Sequence, residues 1–394
     1  MSRPRILHVK GSGGFGGDCV LMLELGLAAR EHGFEVDILA TAPRFQEMIR
    51  DAGLGIVDLD VIRREIRPLW DARGYLRLKV FLRSRPYSIV HTHTSKSGMV
   101  GRLAATRVGV PAIVHTPHLM PFHEETGRLT TPAYVAAERL AARWCDRIVT
   151  VSEFQRQWAL RERIGSPEKV IAIPNGVPDQ RATPTRSPED VRAELGLGGA
   201  FVVLATGRLA RQKGIEFLVS AAAQLPDEMP STKILIAGDG PLAAQLARLV
   251  SDLGLDETVL LLGHRSDVGD LLAAADLVVL PSLWEGLSIS LLEAMAAGKP
   301  VVTTTLGSNL EVTNEGETAL LVPPKDSAGL AQAIHALAND APRRELLGRR
   351  GLERQREWYT MRRMIDAYLE EYDRLLRLKT PQTPTRVLQV EGVS

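Results

Sequence analysis

The sequence predicts an α/β protein built from two doubly wound parallel units that face a central cleft. Three observations carry this. Short runs rich in Val, Ile and Leu alternate with longer helical patterns along nearly the whole chain, as strands buried beneath helices require. The alternation breaks once, at Pro174-Asn-Gly-Val-Pro178 and a polar, proline-punctuated stretch ending near Glu189, and then resumes. A length of 394 residues also exceeds what one hydrophobic core organises.

Taken in order, strands are expected at 5–10, 35–41, 55–60, 88–93, 112–116, 147–151 and 170–173, with the clearest helices over 20–32, 98–108 and 134–145. Past the break, strands follow at 201–206, 233–237, 259–262, 277–281, 300–304 and 319–322, again with helices between them. The units are 1–176 and 190–358, joined by a linker at 177–189. A closing helix over 359–378 is expected to pack back on the first unit, and 379–394 reads as a tail. No repeat of 20 to 50 residues links the halves, which are alike in architecture only. Open parallel sheets bind ligands beyond the carboxyl ends of their strands, so chemistry is sought there.

Composition narrows the class. Apolar residues at 45% and charged residues at 24% exclude a disordered chain or a fibre. With 48 Lys and Arg against 47 Asp and Glu, a nucleic-acid coat is excluded and no nucleic-acid partner is expected. The balance is uneven locally: between Arg63 and Arg107, 11 basic residues face only Glu65 and Asp71. Cys19 and Cys145 provide neither a disulfide framework nor a zinc site, which fits a reducing cytoplasm. The chain reads as a strand from residue 5, leaving no room for a signal peptide, and no run approaches the roughly 20 apolar residues of a membrane span. Any membrane contact is expected to be peripheral.

The most informative segment runs from Pro281 to Pro300, leaving a strand, turning at Gly286 and entering a helix on which Glu293 is the only charge. A buried carboxylate needs hydrogen-bond donors, which a sugar diol supplies and an arginine elsewhere in the chain would supply equally. Glu285 stands at the mouth of that helix, where backbone amides attract phosphate. Arg208 and Lys213, in the turn Gly207-Arg-Leu-Ala-Arg-Gln-Lys-Gly214, supply cations. Gly238, in Ala237-Gly-Asp-Gly-Pro241, would let backbone approach a ligand. Gly11, Gly13 and Gly16 fit a dinucleotide-binding spacing, but Thr41 and Ala42 stand where its carboxylate belongs, so nicotinamide binding is the weakest reading.

Together these spacings resemble the retaining glycosyltransferases of family four, of the bacterial surface-polysaccharide type. The resemblance spans nearly the whole chain and is most specific at Glu285 with Glu293. It implies the glycosyltransferase B fold, two Rossmann-like domains around a cleft, and a retaining, metal-independent transfer of a sugar from a nucleoside diphosphate, with UDP preferred, to an acceptor hydroxyl. Glu293 would then bind the ribose hydroxyls, Arg208 and Lys213 the diphosphate, and Glu285 with Gly286, Leu287 and Ser288 the donor sugar. The base would lie near Gly263-His-Arg265, and Gly238 would join the donor-binding residues. From the first domain, Gly16 and Gly17 would approach the diphosphate through their backbone, and His118 would face the reacting centre, with His115 as runner-up. His93 and Lys96, in His91-Thr-His93-Thr-Ser-Lys96, would meet the acceptor.

No cofactor beyond the nucleotide-sugar donor, and no metal, is expected. His91 and His93 alternate along a strand and are read as pointing to opposite faces, against a metal site, and Asp58-Leu-Asp60 is read as a chance D-x-D spacing. The expected acceptor is a polyprenyl-diphosphate-linked sugar, approached through the basic stretch on an anionic inner leaflet. Two other readings stay open: a nucleotide-sugar epimerase or hydrolase of the same fold, and a non-catalytic nucleotide-sugar-binding protein.

Overall fold

The computed structural model describes residues 3–11, 16–62, 67–122, 125–127, 129–226 and 228–379. The first sheet has strands β1 Arg5–Lys10, β2 Glu35–Leu39, β3 Gly55–Val57, β4 Ile89–His93, β5 Ala112–Thr116, β6 Arg147–Thr150 and β7 Val170–Ala172, in the order β3-β2-β1-β4-β5-β6-β7. The second has β8 Phe201–Thr206, β9 Thr232–Ala237, β10 Val259–Gly263, β11 Leu277–Leu280, β12 Val301–Thr304 and β13 Leu320–Val322, in the order β10-β9-β8-β11-β12-β13. All pairings are parallel, which is why the strands read as continuous apolar runs: both faces lie under helices. The strand order reverses at β1/β4 and at β8/β11, and at such switch points a crevice opens beyond the carboxyl ends.

Three local differences have physical causes. The expected strand 55–60 ends at Val57, because Leu59 N–H bonds to Val57 O and Val61 N–H to Leu59 O, curling the chain away; Asp58 and Asp60 are exposed beyond the sheet. The 98–108 helix starts three residues earlier, at Ser95, and ends against Gly109 in the left-handed region. Within 177–189 a short helix, Asp179–Ala182, forms, and the helix Pro188–Glu194 begins at its end, capped by Ser187 Oγ on Asp190 N–H.

The closing helix Met361–Lys379 lies in the first unit's core, where Met364, Tyr368, Tyr372 and Leu375 pack with Ile6, Leu25 and Ile89. A buried ion pair, Arg147 Nε to Glu371 Oε1 at 2.5 Å, fixes it there. The chain therefore crosses between units twice, and the crossings touch: Val177 N–H bonds to Tyr359 O at 3.3 Å. A Cβ on Gly176 would stand 2.3 Å from Thr360 O, so only glycine allows this approach.

Candidate active site between the two sheets

The carboxyl ends of β1, β4 and β5 form one wall. Residues two apart on a strand share a face, so His91 and His93 project together, their ring centroids 4.1 Å apart, and the expectation of opposite faces is corrected. His8, beside His91 in register, completes a buried trio in which one ring nitrogen from each lies within 4.8 Å of the other two. The trio has the composition of a metal site, yet its nitrogens are taken. His8 Nδ1 meets His93 Nε2 at 3.0 Å, His93 Nδ1 meets His118 Nε2 at 3.0 Å, and His91 bonds to the Tyr372 hydroxyl at 2.6 Å and Thr116 Oγ1 at 2.8 Å. His8 Nε2 alone of the six has no partner among the described residues.

Burial holds these rings neutral: desolvation pushes His8 down to about 3 and His91 and His93 well below the ordinary value of 6.5. His118 is pushed down to about 4, again by desolvation first, with Asp18 opposing and Lys10 assisting. His93 is therefore a structural partner of His118, with no nitrogen left for an acceptor. Lys96, the other expected acceptor contact, is an ion-pair partner of Asp71 at 2.8 Å. His115 belongs to the opposite face, bonded to Thr92 and packed so tightly that a Cβ on Gly98 would meet its Cε1 at 2.3 Å.

Backbone strain marks this wall. Thr94, one residue past β4, and His118, just past β5, both have positive φ, 62° and 58°, where non-glycine residues carry about 1–3 kcal/mol of strain. Next to them, Gly16 caps and Gly17 begins the helix Gly17–Glu31, with a Cβ on Gly17 reaching Ile289 of the other unit at 3.0 Å. Gly13 of the glycine turn lies outside the described residues. Lys10, a cation with 3% exposure at the end of β1, pairs with Asp18 at 2.6 Å. Sequence reasoning missed this pair, although a lysine closing an apolar strand was its signal.

The second wall follows β8 and β11. Glu285 is buried and densely held: Lys213 Nζ at 2.5 Å and Ser282 Oγ at 2.8 Å on one oxygen, and Gln212 Nε2 at 3.1 Å on the other. Lys213 and Glu285 are thus one neutral pair, joined because Gly214, at φ 59°, turns the chain so closely that a Cβ there would strike Pro281 O at 2.3 Å. Arg208 is exposed and its guanidinium makes no bond to the described residues. Gly286, Leu287 and Ser288 lead into the helix Ile289–Ala296, with Ser288 Oγ capping Leu291 N–H. Gly238 is glycine for packing: a Cβ would lie 1.8 Å from Gly207 O. Arg265 is occupied by Asp267 at 2.6 Å and Glu194 at 3.4 Å.

Glu293, 4% exposed, faces Arg181 Nε at 2.6 Å. The arginine lies off the hydrogen-bond direction, so Glu293 Oε1 is close to a cation yet accepts no aligned hydrogen bond. Desolvation raises its pKa, against the pull of Arg181 and Lys213. The arginine that the sequence left open is therefore present, paired with Glu293 but poorly aligned to it.

The walls touch. Ser152 Oγ donates to Gly286 O at 3.0 Å, and a Cβ on Gly286 would stand 1.9 Å from His118 O. Glu311, from the second unit, accepts Glu153 N–H at 2.9 Å and Phe154 N–H at 2.7 Å, capping the first unit's helix Glu153–Arg161. Arg44 reaches His264 at 2.8 Å. Together the crevice brings strained His118, the Lys213–Glu285 pair, unengaged Arg208 and buried Glu293 to facing ends of two parallel sheets.

Two such sheets, meeting at the carboxyl ends of their strands, define a two-domain α/β protein with paired acids and cations in the crevice between them. Residues 16–176 match the glycosyl transferase 4-like domain and residues 200–340 the glycosyl transferases group 1. The chain is 34% identical over 283 residues, 70% of its length and 73% of the relative's, to UDP-Gal:alpha-D-GlcNAc-diphosphoundecaprenol alpha-1,3-galactosyltransferase of Escherichia coli. It is 30% identical over 358 residues, 84% of its length and 80% of the relative's, to D-inositol 3-phosphate glycosyltransferase of Mycobacterium sp. (strain JLS). The crystal structure of Anabaena HepE in complex with UDP-glucose superposes with a TM-score of 0.80 at 21% identity, covering 94% of this chain and 99% of that one, and shares the fold. The chain belongs to the family four glycosyltransferases.

Proposed function

We propose that the protein transfers a sugar from a UDP-sugar, with net retention at the anomeric carbon, to a hydroxyl of a polyprenyl-diphosphate-linked glycan at a membrane surface. The observation that carries the donor half is Glu293: a buried carboxylate oxygen without an aligned donor is what a ribose diol satisfies. In this reading Arg208, Lys213 and the amides at Gly286–Leu287 stabilise the charge that develops on the departing diphosphate, a preplaced electrostatic role that needs no metal. Glu285, held by Lys213, Gln212 and Ser282, orients the donor sugar. The acceptor hydroxyl attacks the anomeric carbon as the bond to the phosphate oxygen breaks on the same face, and its proton passes to that oxygen. His118 lies over the sugar from the first domain. That the HepE structure holds UDP-glucose and the Escherichia coli relative uses UDP-Gal supports the nucleotide.

The acceptor half rests on the helix Pro68–Ser84. Leu69, Leu76 and Val80 are 90%, 56% and 65% exposed, and exposed Arg73, Arg77 and Arg83 lie among them. An apolar and basic surface of this kind suits an anionic bilayer, each cation contributing about 1 kcal/mol. Fewer cations serve it than the sequence offered, because Arg85 bonds to Asp37, Lys96 to Asp71 and Arg102, fully buried, to Glu138, while Arg63 and Arg64 lie outside the described residues. No helix among the described residues is long and apolar enough to cross a membrane.

The test is nucleoside diphosphate release from UDP-, GDP- and ADP-sugars with a membrane lipid extract as acceptor. Release that requires the extract, favours UDP and is lost in Glu293→Ala is expected. Release indifferent to the extract would favour an epimerase or hydrolase, and an absence of both turnover and nucleotide binding a non-catalytic protein.

A further inference from the structure

We propose that His8, His93 and His118 form one hydrogen-bonded file that fixes the tautomer of His118, so that His118 presents an Nδ1–H to the cleft. His8 and His93 are then positioning residues for the reaction, an inference that rests on the cleft reading above only for its catalytic consequence.

The file is set by two contacts of 3.0 Å, His8 Nδ1 to His93 Nε2 and His93 Nδ1 to His118 Nε2. A neutral imidazole carries one N–H and one lone pair. Each contact consumes one of each, so the three N–H groups must all point the same way along the file. Pointed toward His8, they would leave His8 Nε2 as a buried N–H without an acceptor. Pointed toward His118, they leave only a buried lone pair there, and orphaned buried N–H groups are the rarer of the two defects. The second polarity has His8 Nδ1–H donating to His93 Nε2 and His93 Nδ1–H donating to His118 Nε2. His118, part-buried at the cleft, is left with its proton on Nδ1, a nitrogen that has no partner among the described residues.

The file is braced from the side. His91 packs on His93 at 4.1 Å, and its own nitrogens are bound by Thr116 and by Tyr372 of the closing helix, so His93 has little room to turn. His118 consequently meets the ligand as a donor of defined direction. It can hydrogen-bond an oxygen of the donor sugar or of the departing phosphate, and it does not act as a base toward the acceptor.

The experiment is nitrogen-15 NMR of the full chain with labelled histidine, the His118 signals assigned by their loss in His118→Gln. Protonation at Nδ1 of His118 is expected in the unaltered chain. His93→Asn keeps a side-chain N–H where Nδ1 stood, whereas His93→Phe keeps the ring and removes both nitrogens. The Nδ1–H tautomer should survive in the first and mix with Nε2–H in the second, where nothing donates to Nε2 and neither form is imposed. In turnover, His93→Asn should stay within about threefold of the parent and His93→Phe fall by about tenfold or more in kcat, the worth of one hydrogen bond. A packing role would reverse that order, since Phe fills the space better. An Nε2–H tautomer in the unaltered chain, or His93→Phe as active as His93→Asn, overturns the proposal. The NMR result stands whether or not sugar transfer is found, so the two readings fail separately.

Discussion

Gly286→Ala probes how closely the two domains must approach. The glycine has no positive φ, so alanine adds no backbone strain there; the obstacle is His118 O, 1.9 Å from where the new Cβ would stand. Ordinary contact begins at 3.4 Å, so the two walls must part by about 1.5 Å at this point. His118 cannot retreat alone, because its imidazole is tied to His93 and its backbone already sits in the left-handed region. Relief comes from opening the domains as rigid bodies about the crossings at Val177 and Tyr359, which leaves both cores intact. A misplacement of about 1 Å at a reacting centre costs about 10²-fold in rate, so kcat should fall by about that factor. Donor affinity should hold, since the proposed donor contacts lie mainly on the second domain, and the melting temperature should move little. Steady-state release assays, donor calorimetry and thermal melting of the one variant separate these quantities. A kcat within about threefold of the parent refutes the closed geometry as the working one. A large loss of thermal stability would show instead that Gly286 serves folding.

Acid stability tests the buried histidines. His8, His91, His93, His115 and His118 all have pKa values lowered from 6.5 by burial, so below pH 6.5 the unfolded chain takes up protons that the folded chain refuses. Stability is full above pH 6.5 and falls as pH drops toward about 4, with a limiting slope of about 1.4 kcal/mol per pH unit for each ring, read from urea midpoints at pH 7.5, 6.5 and 5.5; a flat profile contradicts the neutral cluster. Glu138→Ala strands Arg102, whose side chain is 0% exposed, and should cost about 3–5 kcal/mol by urea unfolding, with a loss under 1 kcal/mol speaking against a buried pair. Replacing Arg73, Arg77 and Arg83 together by Glu should abolish flotation with anionic vesicles at low salt while leaving activity on a soluble acceptor analogue, and retained flotation would exclude this helix as the docking surface.

How much was legible in the sequence follows from which interactions are local. The strands were readable because a parallel sheet covered on both faces writes itself as uninterrupted apolar runs, and Phe201–Thr206 is such a run. Glu293 was readable because a lone carboxylate among apolar helix residues has no local excuse. Arg181 was not, since nothing within a four-residue helix in the linker signals a partner more than a hundred positions away. Lys213 and Glu285 stood out separately, yet their union at 2.5 Å depends on how Gly214 packs on Pro281, a contact between loops of different strands.

The histidines show the limit most clearly. Alternation along β4 was visible, and a period of two already required one shared face, so that part was a misreading of information the sequence held. What the sequence could not hold was the register that sets His8 beside His91 and the return of the chain, some 280 residues later, to place the Tyr372 hydroxyl on His91. Those long-range placements turn His93 from an apparent acceptor ligand into a link between the core and His118. They also give the closing helix a bearing on the site: it seals the first domain's core and, through Tyr372 and His91, braces the ring that holds His118. The two domains then meet on His118 itself, its imidazole anchored behind and its carbonyl against Gly286, so closure of the cleft and orientation of this residue are set by one set of contacts.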